Sequence, residues 1–115
     1  MKVEVSSEGP GMDARASKVF GRCPYFVIVE IEGGEAGKTE SIPNPATGQQ
    51  RGAGIMAAQE LEKLGVNAII SGSVGPKAFS AINTLGIEAY LGAGETIKEN
   101  IDAFMQGKLP KASGD

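Results

Sequence analysis

The sequence predicts an α/β domain built on one five-stranded mixed sheet, and three observations carry that reading. The first part of the chain holds extended, β-branched stretches separated by turn residues, the strongest being Tyr25 to Ile31 (YFVIVEI). From Gly52 onward the apolar spacing changes to that of helices alternating with short strands. Finally, Leu64-Gly65-Val66-x-Ala68 recurs 21 residues later as Leu85-Gly86-Ile87-x-Ala89. Two such helix-then-strand units in one sheet imply parallel strands joined by right-handed crossovers.

Lys2 to Ser6 (KVEVS) alternates weakly and reads as a first strand, which Ser7 to Gly11 (SEGPG) stops. Met12 to Cys23 is polar and reads as a long loop with room for one helical turn. Pro24 biases Cys23 towards extended backbone and feeds the second strand. The continuous apolar character of that strand predicts cover on both faces. Gly33 to Gly37 reads as a hairpin loop, and Lys38 to Ile42 as a polar edge strand ended by Pro43-Asn44-Pro45.

Ala53, Met56, Ala57, Leu61 and Leu64 share one helical face, and Gly65 supplies the residue that ends such a helix. Val66 to Ile70 is a short buried strand. Ser71 to Gly75 (SGSVG) is a tight loop, and Pro76 suits the first position of the next helix, whose apolar face is Ala78, Phe79, Ile82 and Leu85. Gly86 ends it and Ile87 to Leu91 is the fifth strand. After Gly92-Ala93-Gly94, Thr96 and Glu99 have capping-box spacing for a helix with Ile97, Ile101, Phe104 and Met105 inward. Residues 1–107 thus read as one domain, and Lys108 to Asp115 as a mobile tail.

The bulk numbers exclude several classes. At 115 residues the chain is large enough for one core without disulfides. No apolar run approaches the roughly 20 residues of a membrane span, and the chain enters its first strand without a signal-peptide pattern. The one cysteine rules out an internal disulfide, so a reducing cytoplasm is the expectation. A net charge of −3, with no Trp, two Tyr and four Phe, argues against nucleic-acid binding by phosphate contacts or base stacking. Histidine is absent, which removes any Ser-His-Asp or Cys-His catalytic arrangement within the chain.

Strand direction gives a location. If the first strand runs up, the second runs down and the third, fourth and fifth run up. The connections Ser7–Cys23, Pro43–Arg51, Ser71–Gly75 and Gly92–Gly94 then meet at one edge, where all three helices also begin. Helix N-termini carry free N–H groups and positive dipole ends, and ligands of α/β sheets collect outside the carboxyl ends of strands. The edge is therefore expected to take an anion, with Arg22 and Arg51 adding charge.

The candidate residues follow from that edge. Cys23 lies between Arg22 and Pro24. A lone cysteine is ordinarily a buried small hydrophobe, but a loop position beside a cation would favour a thiolate and a ligand role. Arg51-Gly52-Ala53-Gly54 opens a helix, its glycines either making the turn or letting backbone N–H groups approach an anion. Ser71, Gly72 and Gly75 belong to a Gly-rich strand-to-helix loop that fits neither nucleotide fingerprint and reads first as a tight connection, with a binding role second. Helical Met56 and Met105 are expected in the core. Glu30 and Glu32 share a face of the second strand, where solvation or an edge ion pair is the expected role.

The stretches VFGRCPYFVIVEIEGG and IPNPATGQQRGAGIMAAQELEKLGVNAIISGSVGPKAFSAINTLGIEAYLG resemble the dinitrogenase iron-molybdenum cofactor biosynthesis family. The Phe-Gly-Arg-x-Pro-Tyr-Phe segment, the Asn-Pro loop, the Gly-Ala-Gly helix start and the Gly-Pro-x-Ala-Phe turn carry the resemblance, from Lys2 to about Leu109. It implies a three-layer, ribonuclease-H-like α/β fold and a protein that binds or carries an iron-molybdenum cofactor or iron–sulfur precursor rather than one that catalyses. It also places Asn44, of the Asn-Pro loop, among the cofactor-binding candidates. Histidines common in the family, before Phe-Gly and before Gly-x-Gly, are Val19 and Arg51 here, which leaves Arg22 and Cys23 as cluster contacts and Cys23 as the metal ligand.

The expected function is a non-enzymatic cluster-binding or carrier protein, acting as a monomer or weak homodimer with donor and acceptor proteins. Two other classes stand beside it. One is a regulatory module for a small anion or protein partner. The other is a ribonuclease-H-like nuclease, which needs several carboxylates around metal ions; only Asp13, Asp102 and Asp115 are aspartates.

Overall fold

The computed structural model describes residues 1–93 and 95–112. Its elements run β1 (Lys2–Ser7), β2 (Tyr25–Glu32), β3 (Glu35–Pro43), α1 (Ala53–Lys63), β4 (Ala68–Ser71), α2 (Pro76–Thr84), β5 (Glu88–Leu91) and α3 (Ile97–Met105). The sheet order is β3-β2-β1-β4-β5. β1 pairs antiparallel with β2 and parallel with β4, β2 pairs antiparallel with β3, and β4 pairs parallel with β5. The α/β class, the mixed five-stranded sheet and the common edge all follow the sequence expectation.

Alternation along the strands divides the core into two layers. Val3, Val5, Val27, Val29, Ala68 and Ile70 pack with Ile97 and Ile101 of α3. Phe26, Ile28 and Ile69 pack on the other face with Ala57, Ala58 and Leu61 of α1 and Ala78 and Ile82 of α2. The result is three layers, with β2 apolar on both sides because helices or loops cover both.

Four local expectations are corrected. Gly33 and Gly34, both at positive φ, close the hairpin as a two-residue turn, so β3 starts at Glu35 rather than Lys38. A register shift between Val29 and Ile31 absorbs the mismatch. Met12–Cys23 contains no helical turn; isolated bridges from Ala16 to Ser7 and from Arg15 to Thr96 hold it instead. Met56 is exposed, because small Ala57 and Ala58 bring α1 close to the sheet and leave a narrow inward stripe, and Met105, at the last turn of α3, is only partly buried at the margin of the other layer.

The tail differs most. Leu109 is buried against the α3 layer and Ala112 against the other. Leu91 N–H donates to Pro110 O at 2.9 Å and Ala112 N–H to Ala89 O at 2.9 Å, with Lys111 paired to Glu88 at 3.0 Å. Residues 109–112 thus dock along β5 rather than move freely, since apolar burial and two backbone bonds hold them. Residues 113–115 of the expected tail, and Gly94 of the expected edge loop, lie outside the described residues.

Candidate functional site

The carboxyl ends of β1, β3, β4 and β5 and the start of β2 meet at one edge, and the Glu8–Pro24 loop crosses it. Ser17 N–H donates to Ser6 O at 2.7 Å, Gly72 N–H to Ser17 O at 3.3 Å and Phe20 N–H to Ser73 O at 3.0 Å. The Ser73 hydroxyl adds a bond to Lys18 O at 2.9 Å. Gly72 is required here by contact, since a Cβ would sit 2.8 Å from the Lys18 backbone. The loop is therefore laced to β1 and to the β4–α2 connection, and it presents Arg15, Lys18 and Arg22 along the rim.

The three helix N-termini are not equivalent. Thr96 caps α3 by accepting from Glu99 N–H at 3.1 Å, while Glu99 Oε1 accepts from the N–H groups of Thr96 and Glu95, each at 2.9 Å. Those donors hold the Glu99 carboxyl below its usual range, and they occupy an end that the sequence pattern had counted towards the anion site. α1 and α2 instead begin on Gly52 and Gly75, with no side-chain cap on either. Their first-turn N–H groups remain available.

Both open ends face one groove of about 390 Å³, lined by Val19, Phe20, Arg22, Gly52, Ala53, Gly54, Ile55, Gly75, Pro76, Lys77 and Ala78. Among the described residues no acidic side chain lines it. Gly54 lets the two helices converge, because a Cβ there would lie 2.6 Å from that of Ala78. Arg22 is anchored at the rim, donating to the carbonyls of Gln49 and Gln50, the latter at 3.1 Å. Arg51 is exposed beside Gly52. A smaller hollow of about 240 Å³ on the α3 side contains Arg15, Lys18, Gly72, Asn100 and the acidic Glu95.

Of the sequence candidates, the groove brings together Arg22, Gly52, Gly54 and Gly75. The other five, Cys23, Asn44, Arg51, Ser71 and Gly72, lie outside its lining. Cys23 is 0 % exposed and belongs to the core. Burial, followed by the nearby Glu4 carboxyl, pushes its thiol up to about 12, and the Arg22 guanidinium that was expected to favour a thiolate bonds elsewhere. The expectation of Cys23 as an edge thiolate and metal ligand is corrected on those grounds. Asn44 is also buried, at 4 % exposure. Its amide donates to Gly21 O at 3.1 Å and Cys23 O at 2.8 Å while its oxygen accepts from Ala46 N–H at 2.9 Å, so it ties two loops together rather than facing a ligand. Ser71 is 2 % exposed and its hydroxyl points inward; Gly72 lines only the α3-side hollow.

Lys77 was not singled out from sequence, although it follows Pro76 at a helix start on the edge, which is signal enough to place it there. Glu4 was missed as well. Once β1 is central both of its faces are covered, and a mid-strand glutamate must then be buried.

With this geometry in place the comparisons decide the family. The family model described as dinitrogenase iron-molybdenum cofactor matches residues 1–107. This chain belongs to that family. The uncharacterized Methanocaldococcus jannaschii protein MJ0580 is 45% identical over 97 residues, covering 84% of this chain and 82% of the relative. The apo form of the orange protein from Desulfovibrio gigas is 36% identical with a TM-score of 0.88, covering 98% of this chain and 93% of that one. A Thermotoga protein solved as a candidate NifB protein is 32% identical with a TM-score of 0.82, covering 96% and 91%. The resemblance read from the Phe-Gly-Arg-x-Pro-Tyr-Phe and Asn-Pro segments therefore holds.

The family name implies an iron-molybdenum cofactor, and the residues present fit only one form of it. Among the described residues no three His, Cys, Asp or Glu side chains gather as a metal-holding group, and the sole thiol is buried. The groove offers backbone N–H groups and two cations. Such a donor set suits a preformed anion that brings its own sulfur ligands, not a bare metal ion. No helix among the described residues is long and apolar enough to cross a membrane.

Proposed function

We propose that this protein binds an anionic metal–sulfur cluster, of the iron-molybdenum or iron–sulfur kind, as cargo in the groove between α1 and α2, and acts as a non-enzymatic carrier. The observation that carries the reading is the pair of uncapped helix N-termini opening onto one acid-free groove with Arg22 and Lys77. Charge and N–H donors hold the cluster, and no protein sulfur takes part. The walls Val19, Phe20, Ile55 and Ala78 favour a large, weakly hydrated anion over phosphate, whose oxygens need more polar donors than the groove supplies.

Anaerobic incubation with iron–sulfur or molybdenum–sulfur clusters, followed by gel filtration and metal and sulfide analysis, tests the reading. Retained metal and sulfide with visible absorbance is the expected result. Absence of retention for every cluster, together with thermal stabilisation by a small anion, would replace it with the regulatory-module reading. Donor and acceptor proteins would dock at the same rim, since that is where cargo enters and leaves.

A further inference from the structure

Glu4 occupies the middle of β1, a strand with neighbours on both sides, and is 0 % exposed. Register places it between Ile28 of β2 and Ile69 of β4. Directly opposed residues share a sheet face, so its carboxyl lies in the layer beneath α1 and α2, where both isoleucines pack. Ser6 is the next residue of β1 on that face. It pairs with Phe26, and continuing the β1–β4 register past Val5–Ile70 sets Ser71 on its other side. Glu4, Ser6, Ser71 and Cys23 are all 2 % exposed or less.

These side chains use only part of their bonding capacity within the protein. Ser6 Oγ donates to Glu4 Oε2 at 3.3 Å, whereas Glu4 Oε1 and Ser71 Oγ have no partner among the described residues. Buried polar atoms are nearly always bonded, and where protein groups fail an internal water is the usual partner. We infer that Glu4, Ser6 and Ser71 enclose a single water molecule, bonded to Glu4 Oε1 and Ser71 Oγ. Ser6 Oγ, lying between them on the same face, provides the third partner that such a water ordinarily has.

A cation is the competing occupant, and charge decides against it. It would require an ionised Glu4 in a layer that offers no compensation. β2 contributes Phe26 and Ile28 there, β4 Ile69, α1 Ala57, Ala58 and Leu61, and α2 Ala78 and Ile82, all apolar. Among the described residues the one titratable group facing Glu4 is Cys23, whose thiol is itself pushed up to about 12. Burial holds the Glu4 carboxyl well above its usual range, opposed only by the Ser6 bond. Glu4 therefore keeps its proton, and Oε1–H donates to the water, which in turn donates to Ser71 Oγ. The water joins the carboxyl ends of β1 and β4 just below the point where Ser17 N–H bonds Ser6 O.

Because the folded Glu4 binds its proton more tightly than the unfolded chain does, its contribution to stability is complete below the ordinary value of 4.5 and is lost as pH rises through the higher folded value. Two measurements on the unaltered protein test the inference. A high-resolution crystal structure is expected to show one water within hydrogen-bond distance of Glu4 Oε1 and Ser71 Oγ. Infrared spectroscopy at neutral pH is expected to show the C=O band of a neutral buried carboxylic acid, absent from Glu4→Gln. That variant, neutral at every pH, should also lose the part of the decline in urea stability that sets in as pH rises above 4.5. A cation at the position, a direct Glu4–Ser71 bond, or no neutral-acid band would each overturn the proposal. The first two measurements stand even if the variant does not fold.

Discussion

The side-chain amide of Asn44 donates to the backbone carbonyl of Cys23 at 2.8 Å and approaches its sulfur at 3.8 Å. Two loops 21 residues apart in sequence are thereby fixed to one another at the entrance to β2. Asn44→Ala would strand the carbonyls of Gly21 and Cys23 and the N–H of Ala46 in a buried setting. A buried group left unsatisfied costs about 1–3 kcal/mol, and some repair by water is available at the loop surface. Urea unfolding should show a loss of roughly 2–4 kcal/mol at unchanged m-value. A loss within experimental error would mean that Asn44 does not hold the loops.

Cys23 should behave as an inert thiol. Its rise from 9.0 to about 12 leaves on the order of a thousandfold fewer thiolates at neutral pH, and the sulfur is shielded besides. Alkylation by iodoacetamide is expected to be negligible in the folded protein and rapid in urea. Cys23→Ser, if folded, should retain cluster uptake. Loss of uptake by a folded Cys23→Ser protein would restore the thiol as a ligand.

Charge at the groove should govern cargo binding. Lys77→Glu replaces a cation with an acid at the second residue of α2, without touching a hydrogen bond of the fold. Losing one charge contact of about 1.4 kcal/mol weakens binding tenfold, and the reversal should exceed that. Uptake should also fall as salt is raised. Cluster titrations at two ionic strengths check both, and a salt-independent affinity equal to that of the parent would contradict the charge argument.

Removing residues 108–115 should destabilise the domain, although the segment follows the last helix. Leu109 alone buries a side chain worth roughly 1.5–3 kcal/mol, and the free edge of β5 is exposed with it. Thermal unfolding should drop by several degrees, and concentration-dependent association through the bared edge should appear in sedimentation. An unchanged midpoint would show that the docked segment contributes little.

Local rules carried much of this fold. Gly65 and Gly86 ended helices where the left-handed position requires glycine, Thr96 and Glu99 formed the predicted capping box, and strand direction alone located the edge. The failures share a cause, which is that they depend on contacts distant in sequence. The state of Cys23 depends on Asn44 and Glu4, and the tail is ordered by β5. Met56 faces out because the inward stripe of α1 is narrow, made of Ala53, Ala57, Ala58 and Leu61. The capping box that was predicted correctly had a consequence that strand counting overlooked: a helix that caps itself has nothing left for a ligand. Of the site, Arg22 and the glycines were legible, whereas Lys77 and the apolar wall needed the relative placement of two helices.

The distance between the two open helix ends is fixed where Gly54 meets Ala78, a contact in which any larger side chain would have to force the helices apart. The spacing of the two helix ends is thus set by close main-chain approach, while side chains on the rim set the polarity of the groove between them. Size discrimination and binding strength are consequently separable. Exchanging rim residues such as Arg22 or Lys77 is expected to retune how tightly an anion is held while the separation of the two helix ends stays unaltered.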